Sequence, residues 1–372
     1  MKIKEFGVEI WMNAYENHCR YNLAETCVES ITLGQLLEFA GKTESILDEL
    51  LPMKLTYGAI EGSPRLRDLI ASLYDRQQRE NVVLTHGAIG ANALVYATLV
   101  EPGDHVVSVA PTYQQHYSIP ESYGAEVSIL RLREENAFLP DLEELRGMVG
   151  STTKVIALNN PNNPTGSLMD RGMLERIVEI ARSVDAWLLC DEVYRGTDQH
   201  GDGFTVSIAD LYEKGISTAS MSKTFSLAGL RLGWIVGPQA LLHAVSIHRD
   251  YNTISVGMLD DHFACIALES RQHILDRAHA MTRDNLALLD AWVAREPRVS
   301  YVKPKAGTTA LLKIDVDMPS REFCVKLLEA KGVMFTPGSA LDIEGYVRIG
   351  YANNRQVMEQ GLALVSEFLR EI

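Results

Sequence analysis

The chain has 372 residues, of which 46% are apolar, and this length is too large for one small core but suits a large domain with a smaller one. Its formal net charge of -14 is spread along the chain, which argues against nucleic-acid binding because that requires a basic surface. The five cysteines form no CxxC pair, so they indicate neither a disulfide framework nor a zinc site; they are Cys19, Cys27, Cys190, Cys265 and Cys324.

The amino-terminal residues contain no apolar signal core, and no stretch of the sequence is long enough to span a bilayer. Unpaired, scattered cysteines favour a reducing compartment. We therefore expect a soluble, cytoplasmic protein with neither a membrane nor a nucleic acid as its partner.

From about residue 80 onward, short apolar runs alternate with helical patterns. The runs predicted to be strands are residues 82–84, 105–109, 127–130, 155–158, 187–190 and 234–236. Between them, residues 171–183 place their apolar side chains on one helical face. This alternation predicts an α/β fold, in which helices cover both faces of a mostly parallel sheet and right-handed βαβ units connect its strands.

The pattern changes beyond residue 260. A long helical stretch reaches about residue 295, and a strand at 309–316, a helix at 321–331, a strand at 346–351 and a terminal helix follow. This order predicts a second, smaller α+β domain, and we expect the first 45 or so residues to pack with it. The predicted large domain spans 46–258, and the small domain consists of 1–45 and 259–372.

Three polar side chains follow predicted strands, at the edge where such a sheet binds its ligands. Asn163 lies in the loop after the fourth strand, and Asp191 ends the fifth, with Tyr194 three residues on. An unpaired carboxylate at Asp191 would be costly, so a cationic partner such as a pyridinium nitrogen is expected. Asn163 and Tyr194 can donate hydrogen bonds to an oxygen on the same ring. The alternatives are a simple turn at Asn163 and a helix cap or salt bridge at Asp191.

An amine lies at the same edge of the predicted sheet. Lys223 follows the segment 216–221 and is flanked by Ser222 and Thr224. We expect this amine to be partly desolvated, which would lower its pKa and make it a nucleophile towards an aldehyde. A lysine taken alone is far more often a solvated surface residue.

A phosphate site is predicted beside this amine. Arg231 can bind two oxygens with its planar fork, and Ser220 can add a hydroxyl. Backbone amides at the start of a predicted helix suit the same anion, and they belong to Gly87, Ala88 and Ile89. A glycine at a strand–helix junction is, by itself, usually only a turn. Pyridoxal phosphate carries an aldehyde, a ring nitrogen, a ring oxygen and a phosphate, so this one cofactor would use all of these groups.

Across essentially its whole length, the chain resembles the fold type I pyridoxal-phosphate enzymes, and specifically the class I/II aminotransferase family. The matching motifs are Tyr57 through Gly62 to Leu66-Arg67, Gly87-Ala88, Pro111-Thr112-Tyr113, Asn163-Pro164-Thr165-Gly166, Asp191 with Tyr194, Ser220 to Lys223, Arg231 and Val347-Arg348-Ile349. The resemblance implies a large domain that binds the cofactor, a smaller α+β domain, and a homodimer with shared active sites.

The resemblance also implies roles for individual residues. Lys223 would be the Schiff-base lysine, Asp191 would contact the pyridine nitrogen, and Tyr194 would contact the ring oxygen; these three are the catalytic candidates. Asn163 would contact the ring oxygen and the substrate, whose α-carboxylate Arg348 would bind. The remaining cofactor-binding candidates are Tyr113, stacked on the ring, and Gly87, Ala88, Ile89, Ser220, Ser222 and Arg231, joined by Tyr57 of the other subunit.

We therefore predict a pyridoxal-phosphate-dependent aminotransferase that acts on an α-amino acid and a 2-oxo acid. The alternative is a lyase or cyclase with the same cofactor, which an arginine-like substrate would suit. Residues 21–34 and 305–309 depart from the family pattern and resemble the capreomycidine synthase subgroup, which cyclises a hydroxylated arginine. If Glu25 or Glu29 reaches the pocket, a basic substrate is favoured; otherwise each is a solvated glutamate.

A different class of function is a regulator that senses a ligand. Such a regulator would need a basic DNA-binding domain ahead of the sheet, and the sheet begins too early for one.

Overall fold

The computed structural model of the protein describes residues 2–372. The strands are β1 (Tyr21–Asn22), β2 (Val82–Thr85), β3 (His105–Ala110), β4 (Glu126–Arg131), β5 (Thr153–Asn159), β6 (Trp187–Asp191), β7 (Gly215–Ser220), β8 (Gly233–Val236), β9 (Val299–Tyr301), β10 (Thr309–Ile314), β11 (Val333–Met334), β12 (Thr336–Pro337) and β13 (Tyr346–Gly350). The helices are α1 (Gly7–Tyr15), α2 (Leu33–Phe39), α3 (Ile46–Leu50), α4 (Pro64–Ala71), α5 (Gly87–Leu99), α6 (Gln115–Ser122), α7 (Leu142–Met148), α8 (Arg171–Ser183), α9 (Gln239–Asp250), α10 (Met258–Glu269), α11 (Arg271–Val293), α12 (Ser320–Lys331) and α13 (Arg355–Glu371).

The larger sheet has seven strands in the order β2-β8-β7-β6-β5-β3-β4. The pairs from β7 through β6, β5 and β3 to β4 are parallel, whereas β8 runs antiparallel to both of its neighbours, β2 and β7. The six predicted strands all lie in this sheet. The α/β fold with a mostly parallel sheet is therefore confirmed.

The prediction lacks one central strand, β7. Its sequence, Gly-Ile-Ser-Thr-Ala-Ser, is small and polar, yet all of its residues are buried. Burial is tolerated because the hydroxyls are paired: Ser217 donates to Glu192 Oε2 at 2.8 Å, and Thr218 donates to Asn92 Oδ1 at 2.6 Å. An apolar pattern cannot reveal a strand whose burial depends on hydrogen bonds made outside the strand.

Helix α8 shows why the crossover helices cover the sheet. Asp170 caps its first turn by accepting a hydrogen bond from the Met173 amide at 2.8 Å. Its buried residues are Leu174, Ile177, Val178, Ile180 and Ala181, and they belong to the same core as strands β5 and β6. The helix spans the predicted residues 171–183, so that prediction is confirmed.

The second sheet has four antiparallel strands in the order β12-β13-β10-β9, and helices α11, α12 and α13 contribute to its core. The predicted strands and helices beyond residue 300 are present within a few residues of their expected bounds. The long helical stretch predicted to reach about residue 295 is present as two helices, α10 and α11, because Ser270 leaves the helical conformation between them.

The amino-terminal segment contacts the cores of the two larger sheets, and its strand β1 pairs in parallel with β11 in a third sheet of two strands. Trp11, Tyr21 and Leu23 lie in the core of the second sheet, and the Trp11 indole donates to the Phe335 carbonyl at 2.8 Å. Helix α2, in contrast, packs against the large sheet through Leu36 and Leu37. We propose that the domains divide near residues 45 and 258, with the segment before residue 45 crossing from one to the other. Within residues 2–372, no helix is long and apolar enough to cross a membrane.

Candidate active site

A cavity of about 330 Å³ opens where the parallel strands end. The predicted site residues that line it are Gly87, Ala88, Ile89, Tyr113, Asn163, Asp191, Tyr194, Ser220, Ser222, Lys223, Arg231 and Arg348. Tyr57 does not line it, and its side chain is 74% exposed. The fold thus brings together side chains from both sheets and from loops that are far apart in the sequence.

Asp191 lies at the bottom of this cavity and is 4% exposed. Its Oδ2 atom accepts a hydrogen bond from Asn92 Nδ2 at 2.8 Å, and its Oδ1 atom accepts from the Val193 amide at 3.0 Å. The ring of His116 is also close, with Nε2 at 3.5 Å from Oδ2. The carboxylate therefore has no lysine or arginine partner among residues 2–372, and the expected cation has to come from a ligand or from protonated His116.

Sequence reasoning missed Asn92 and His116, although both leave a signal in the sequence. Asn92 is a polar residue in the otherwise apolar helix α5, and it is fully buried. His116 lies three residues after the predicted site residue Tyr113, at the start of helix α6. Asn92 holds the carboxylate of Asp191 in place, and the His116 ring lies beside it without a hydrogen bond from Nε2.

Lys223 lies opposite residues of the amino-terminal segment. Its Nζ atom donates to Thr26 Oγ1 at 2.6 Å and to Cys27 Sγ at 3.4 Å. Burial by itself would lower the pKa of Lys223, but the neighbouring Cys27, Tyr194 and Glu25 outweigh it and raise this pKa. The expected lowering is therefore wrong, because Thr26 and Cys27 contact the amine and Glu25 lines the same cavity.

Only one of these neighbours is an anion at neutral pH. Burial raises the pKa of the Cys27 thiol and of the Tyr194 phenol, so both stay protonated. Burial would also raise the pKa of Glu25, but Lys223 and the amides of Cys27 and Thr26 lower it. Glu25 is thus the carboxylate that stabilises the Lys223 ammonium.

Arg348 extends from β13 into the same cavity and is 2% exposed. Its guanidinium donates to Asn163 Oδ1 at 3.3 Å, to Thr336 Oγ1 at 3.1 Å and to the Ala24 carbonyl at 3.3 Å. Its Nε atom is buried without a hydrogen-bond partner, and no carboxylate of the described chain forms an ion pair with it. A buried cation with an unused donor is a site for an anionic ligand.

A second anion site lies at the start of helix α5. Gly87 has φ = +67°, and a Cβ atom there would lie 3.1 Å from Arg231 Nη2, so glycine allows the arginine to approach the helix. The amides of Ala88 and Ile89 open the helix on the same side of the cavity. Ser220 and Ser222 line the cavity nearby, and the Ser222 amide donates to Ser220 Oγ at 3.2 Å. This arrangement suits a phosphate.

One wall of the cavity was not predicted. Helix α1 turns Glu9 and Met12 towards it, and Glu16, which follows the last residue of the helix, lines it as well. Their spacing of three and four residues is the helical period that could have revealed a shared face. Glu25 also lines the cavity, as the sequence allowed, whereas Glu29 turns away and pairs with Arg277 at 3.2 Å.

Both the sequence and the fold of the chain match known proteins. Residues 44–363 match the family described as aminotransferase class I and II. The chain is similar to a PLP-dependent aminotransferase from Streptococcus suis 89-1591, whose crystal structure superposes with a TM-score of 0.97 at 45% identity, covering 100% of this chain and 99% of the other.

Two further relatives carry other descriptions. Capreomycidine synthase of Streptomyces vinaceus is 31% identical over 366 residues, which is 97% of this chain and 93% of the relative. The crystal structure of the PLP-dependent cyclase OrfR superposes with a TM-score of 0.91 at 26% identity, covering 100% of this chain and 98% of the other. The relatives thus share the fold but differ in the reaction that their descriptions name.

Proposed function

Because the chain belongs to the class I and II aminotransferase family and uses pyridoxal phosphate, we propose that it moves an amino group between an α-amino acid and a 2-oxo acid, with Lys223 attaching the cofactor. The observation that carries the proposal is the convergence of Lys223, Asp191 and Arg348 on one cavity. These residues supply an amine, a carboxylate and a buried guanidinium, which are the groups that this reaction needs.

The cavity fits the cofactor at both of its ends. Arg231, Ser220 and the opening amides of α5 would hold the phosphate, together with Ser222. Asp191, which lacks a lysine or arginine partner, would hold the ring nitrogen. The ring oxygen would accept hydrogen bonds from Asn163 and Tyr194, and Tyr113 would cover the ring face. Lys223 lies among these groups, where an aldehyde can reach its amine.

When bound, the cofactor supplies an electron sink that stabilises negative charge at the substrate α-carbon. Asp191 would keep a proton on the ring nitrogen, and its own position is fixed by Asn92 and the Val193 amide. Arg348 would orient the substrate through its carboxylate, using the unpaired Nε atom. Once the incoming substrate has released it, the amine of Lys223 would remove the proton from the substrate α-carbon. The same amine would then donate this proton to a different carbon, on the cofactor.

An isotope experiment tests this proposal. The purified protein, loaded with pyridoxal phosphate, is given amino acids labelled with heavy nitrogen and an unlabelled 2-oxo acid. We expect the label to appear in the amino acid that corresponds to the 2-oxo acid. If the label is released only as ammonia, or stays in a product of the donor, aminotransfer is not the reaction.

The second candidate is a lyase or cyclase that uses the same cofactor and residues. It is favoured by the two relatives described as a synthase and a cyclase. It also suits the segment that departs from the family pattern, which brings the Thr26 hydroxyl to 2.6 Å from Lys223 Nζ. In the isotope experiment this reaction would consume the donor whether or not a 2-oxo acid is present.

The raised pKa of Lys223 leads to a prediction about cofactor loading. The amine must lose its proton before it attacks the aldehyde, and Cys27, Tyr194 and Glu25 raise its pKa, with Glu25 the one carboxylate among them. Replacement of Glu25 by glutamine is therefore expected to lower the Lys223 pKa and to move the pH at which loading is half-maximal downwards. The measurement is the rate at which cofactor-free protein regains visible absorption after pyridoxal phosphate is added.

The control for this prediction is Glu29→Gln, since Glu29 belongs to the same segment but pairs with Arg277 outside the cavity. Its loading profile should match that of the unmodified protein. An unchanged profile in Glu25→Gln would show that this carboxylate does not control the amine.

We also propose that the protein is a homodimer. Large apolar side chains are exposed in two segments, at Leu47, Leu51, Leu55, Tyr57 and Ile60 and at Ile247, Tyr251, Ile254 and Leu259. The segments are neighbours, because a Cβ atom on Gly58 would lie 3.3 Å from Met258 Cγ. Exposed Ile89 lies beside the cavity mouth. Contiguous apolar surface of this kind is typical of a protein–protein interface, and a second copy would bring its Tyr57 to the phosphate site.

This proposal predicts two results. Sedimentation should give a dimer. A charge at Leu51, which is 78% exposed, should shift the equilibrium towards monomer, as in the variant Leu51→Glu.

Tyr57→Phe should weaken cofactor binding by roughly 10- to 100-fold, the usual range for a hydrogen bond to a charged group. Tyr123→Phe, outside both segments, is the control. A stable monomer with full cofactor affinity would contradict the proposal.

A further inference from the structure

Three carboxylates form what we call the acidic wall of the cavity: Glu9, Glu16 and Glu25. Glu9 lies in α1 and Glu16 caps its carboxyl end in helical conformation, seven positions later, which places them about 10 Å apart along the helix axis. Glu25 comes from the loop after β1. All three are partly buried, so their charges are screened less than charges in open solvent.

None of these carboxylates forms an ion pair within the described residues. Glu9 Oε1 accepts a hydrogen bond from the Tyr113 hydroxyl at 2.8 Å. Glu25 Oε1 accepts from the amides of Thr26 and Cys27 at 2.7 and 2.8 Å. A wall of unpaired anions on a ligand cavity favours a cation within that cavity.

During the reaction, the cations of the cavity itself cannot pair with the carboxylates of the acidic wall. This step rests on the proposed function. Lys223 would be attached to the cofactor, Arg231 would bind the phosphate, and Arg348 would bind the α-carboxylate of the substrate. Asp191 would be matched by the ring nitrogen. Each charged group at the base of the cavity then has a partner, and the acidic wall alone is left without one.

An independent observation shows that the cavity takes a ligand beside the acidic wall. The buried Nε atom of Arg348 lacks a hydrogen-bond partner, and the guanidinium donates to the Ala24 carbonyl, next to Glu25. A substrate whose carboxylate binds Arg348 therefore starts adjacent to the wall. Its side chain can extend along α1, where Met12 offers an apolar contact between Glu9 and Glu16.

We propose that the acidic wall binds the positively charged end of the substrate side chain, so that the amino donor is a basic amino acid. The shared chemistry is a long aliphatic chain that ends in a guanidinium or an ammonium group. Acidic donors, which would place a carboxylate against the wall, are disfavoured by like-charge repulsion.

The matched test pairs are arginine with citrulline, its uncharged isostere, and lysine with norleucine. We expect kcat/KM for the charged member to be on the order of 10- to 100-fold higher, the range of a hydrogen bond to a charged group. Comparing arginine with lysine separates the guanidinium from the ammonium. The arginine-to-citrulline ratio should fall towards one in the variants Glu9→Gln and Glu16→Gln, and should be unchanged in Glu29→Gln.

A binding measurement separates this inference from the reaction itself. The deaminated analogue of arginine keeps the guanidinium and the carboxylate but has no amino group to react, and its heat of binding to the cofactor-loaded protein can be measured. It should bind on the order of tenfold or more tightly than the deaminated analogue of citrulline. Amino transfer from neutral or acidic donors, with no preference for the charged analogue, would overturn the inference and leave the proposed function standing. Tight binding of the charged analogue without amino transfer would support this inference and contradict the proposed function.

Discussion

Replacement of Lys223 by alanine is expected to lower the rate of amino transfer by at least about 10³-fold, because one side chain would both attach the cofactor and move the α-proton. The loss should appear in kcat, since the groups proposed to bind phosphate, ring and carboxylate remain. The variant should still bind pyridoxal phosphate, but its absorption should be that of the free aldehyde. Steady-state kinetics and the absorption spectrum of the purified variant measure both effects.

A matched control exists at the other end of the same strand. Lys214 precedes β7 and pairs with Asp185 at 2.6 Å, whereas Lys223 follows β7 and faces the cavity. Lys214→Ala should keep the activity and the spectrum of the unmodified protein. Near-normal turnover by Lys223→Ala, in a protein whose circular dichroism shows it to be folded, would contradict the assignment of the lysine.

Replacement of Arg348 by alanine is expected to give the second largest effect. Removing a buried partner of a charged, hydrogen-bonded group costs about 2–5 kcal/mol, which corresponds to roughly 30- to 4,000-fold in kcat/KM for the amino acid. Lysine at this position should recover only part of the loss, since it cannot reproduce the fork that contacts Asn163 and Thr336.

The specificity of the Arg348 effect can be tested with a substrate that lacks the carboxylate. For the decarboxylated amine of the preferred donor, unmodified protein and Arg348→Ala should differ far less than for the amino acid itself. Cofactor affinity should change far less than kcat/KM, because Arg348 is proposed to bind the substrate directly and reaches the cofactor site only through Asn163. An equal loss for amine and amino acid would instead indicate that Arg348 supports the fold, for example through the Ala24 carbonyl.

Much of the fold and the site could be predicted because local sequence carries the information. Strands buried on both faces need continuous apolar runs, and residues placed just after them must meet at one edge of the sheet. Asn163 and Asp191 follow this rule, and both line the cavity. Gly87 and Arg231 were recognisable because a phosphate demands a helix amino terminus and a planar cation.

The features that could not be predicted depend on contacts between distant parts of the chain. The pKa of Lys223 rises because Cys27 and Glu25, almost 200 positions earlier in the sequence, lie close to its amine together with Tyr194. Strand β7 was hidden because its small polar residues find partners on other elements. The acidic wall was missed because the facing direction of α1 is set by Trp11, which packs on the second sheet.

The most direct measurement of the central claim is a single turnover without a 2-oxo acid. Protein loaded with pyridoxal phosphate is mixed with an amino donor, and the absorption of the cofactor and the amount of 2-oxo acid formed are followed together. We expect one 2-oxo acid per bound cofactor, conversion of the cofactor to its amine form, and recovery of the original absorption when a 2-oxo acid is added. Continued turnover of the donor without any 2-oxo acid, or an absorption that never changes, would contradict this claim.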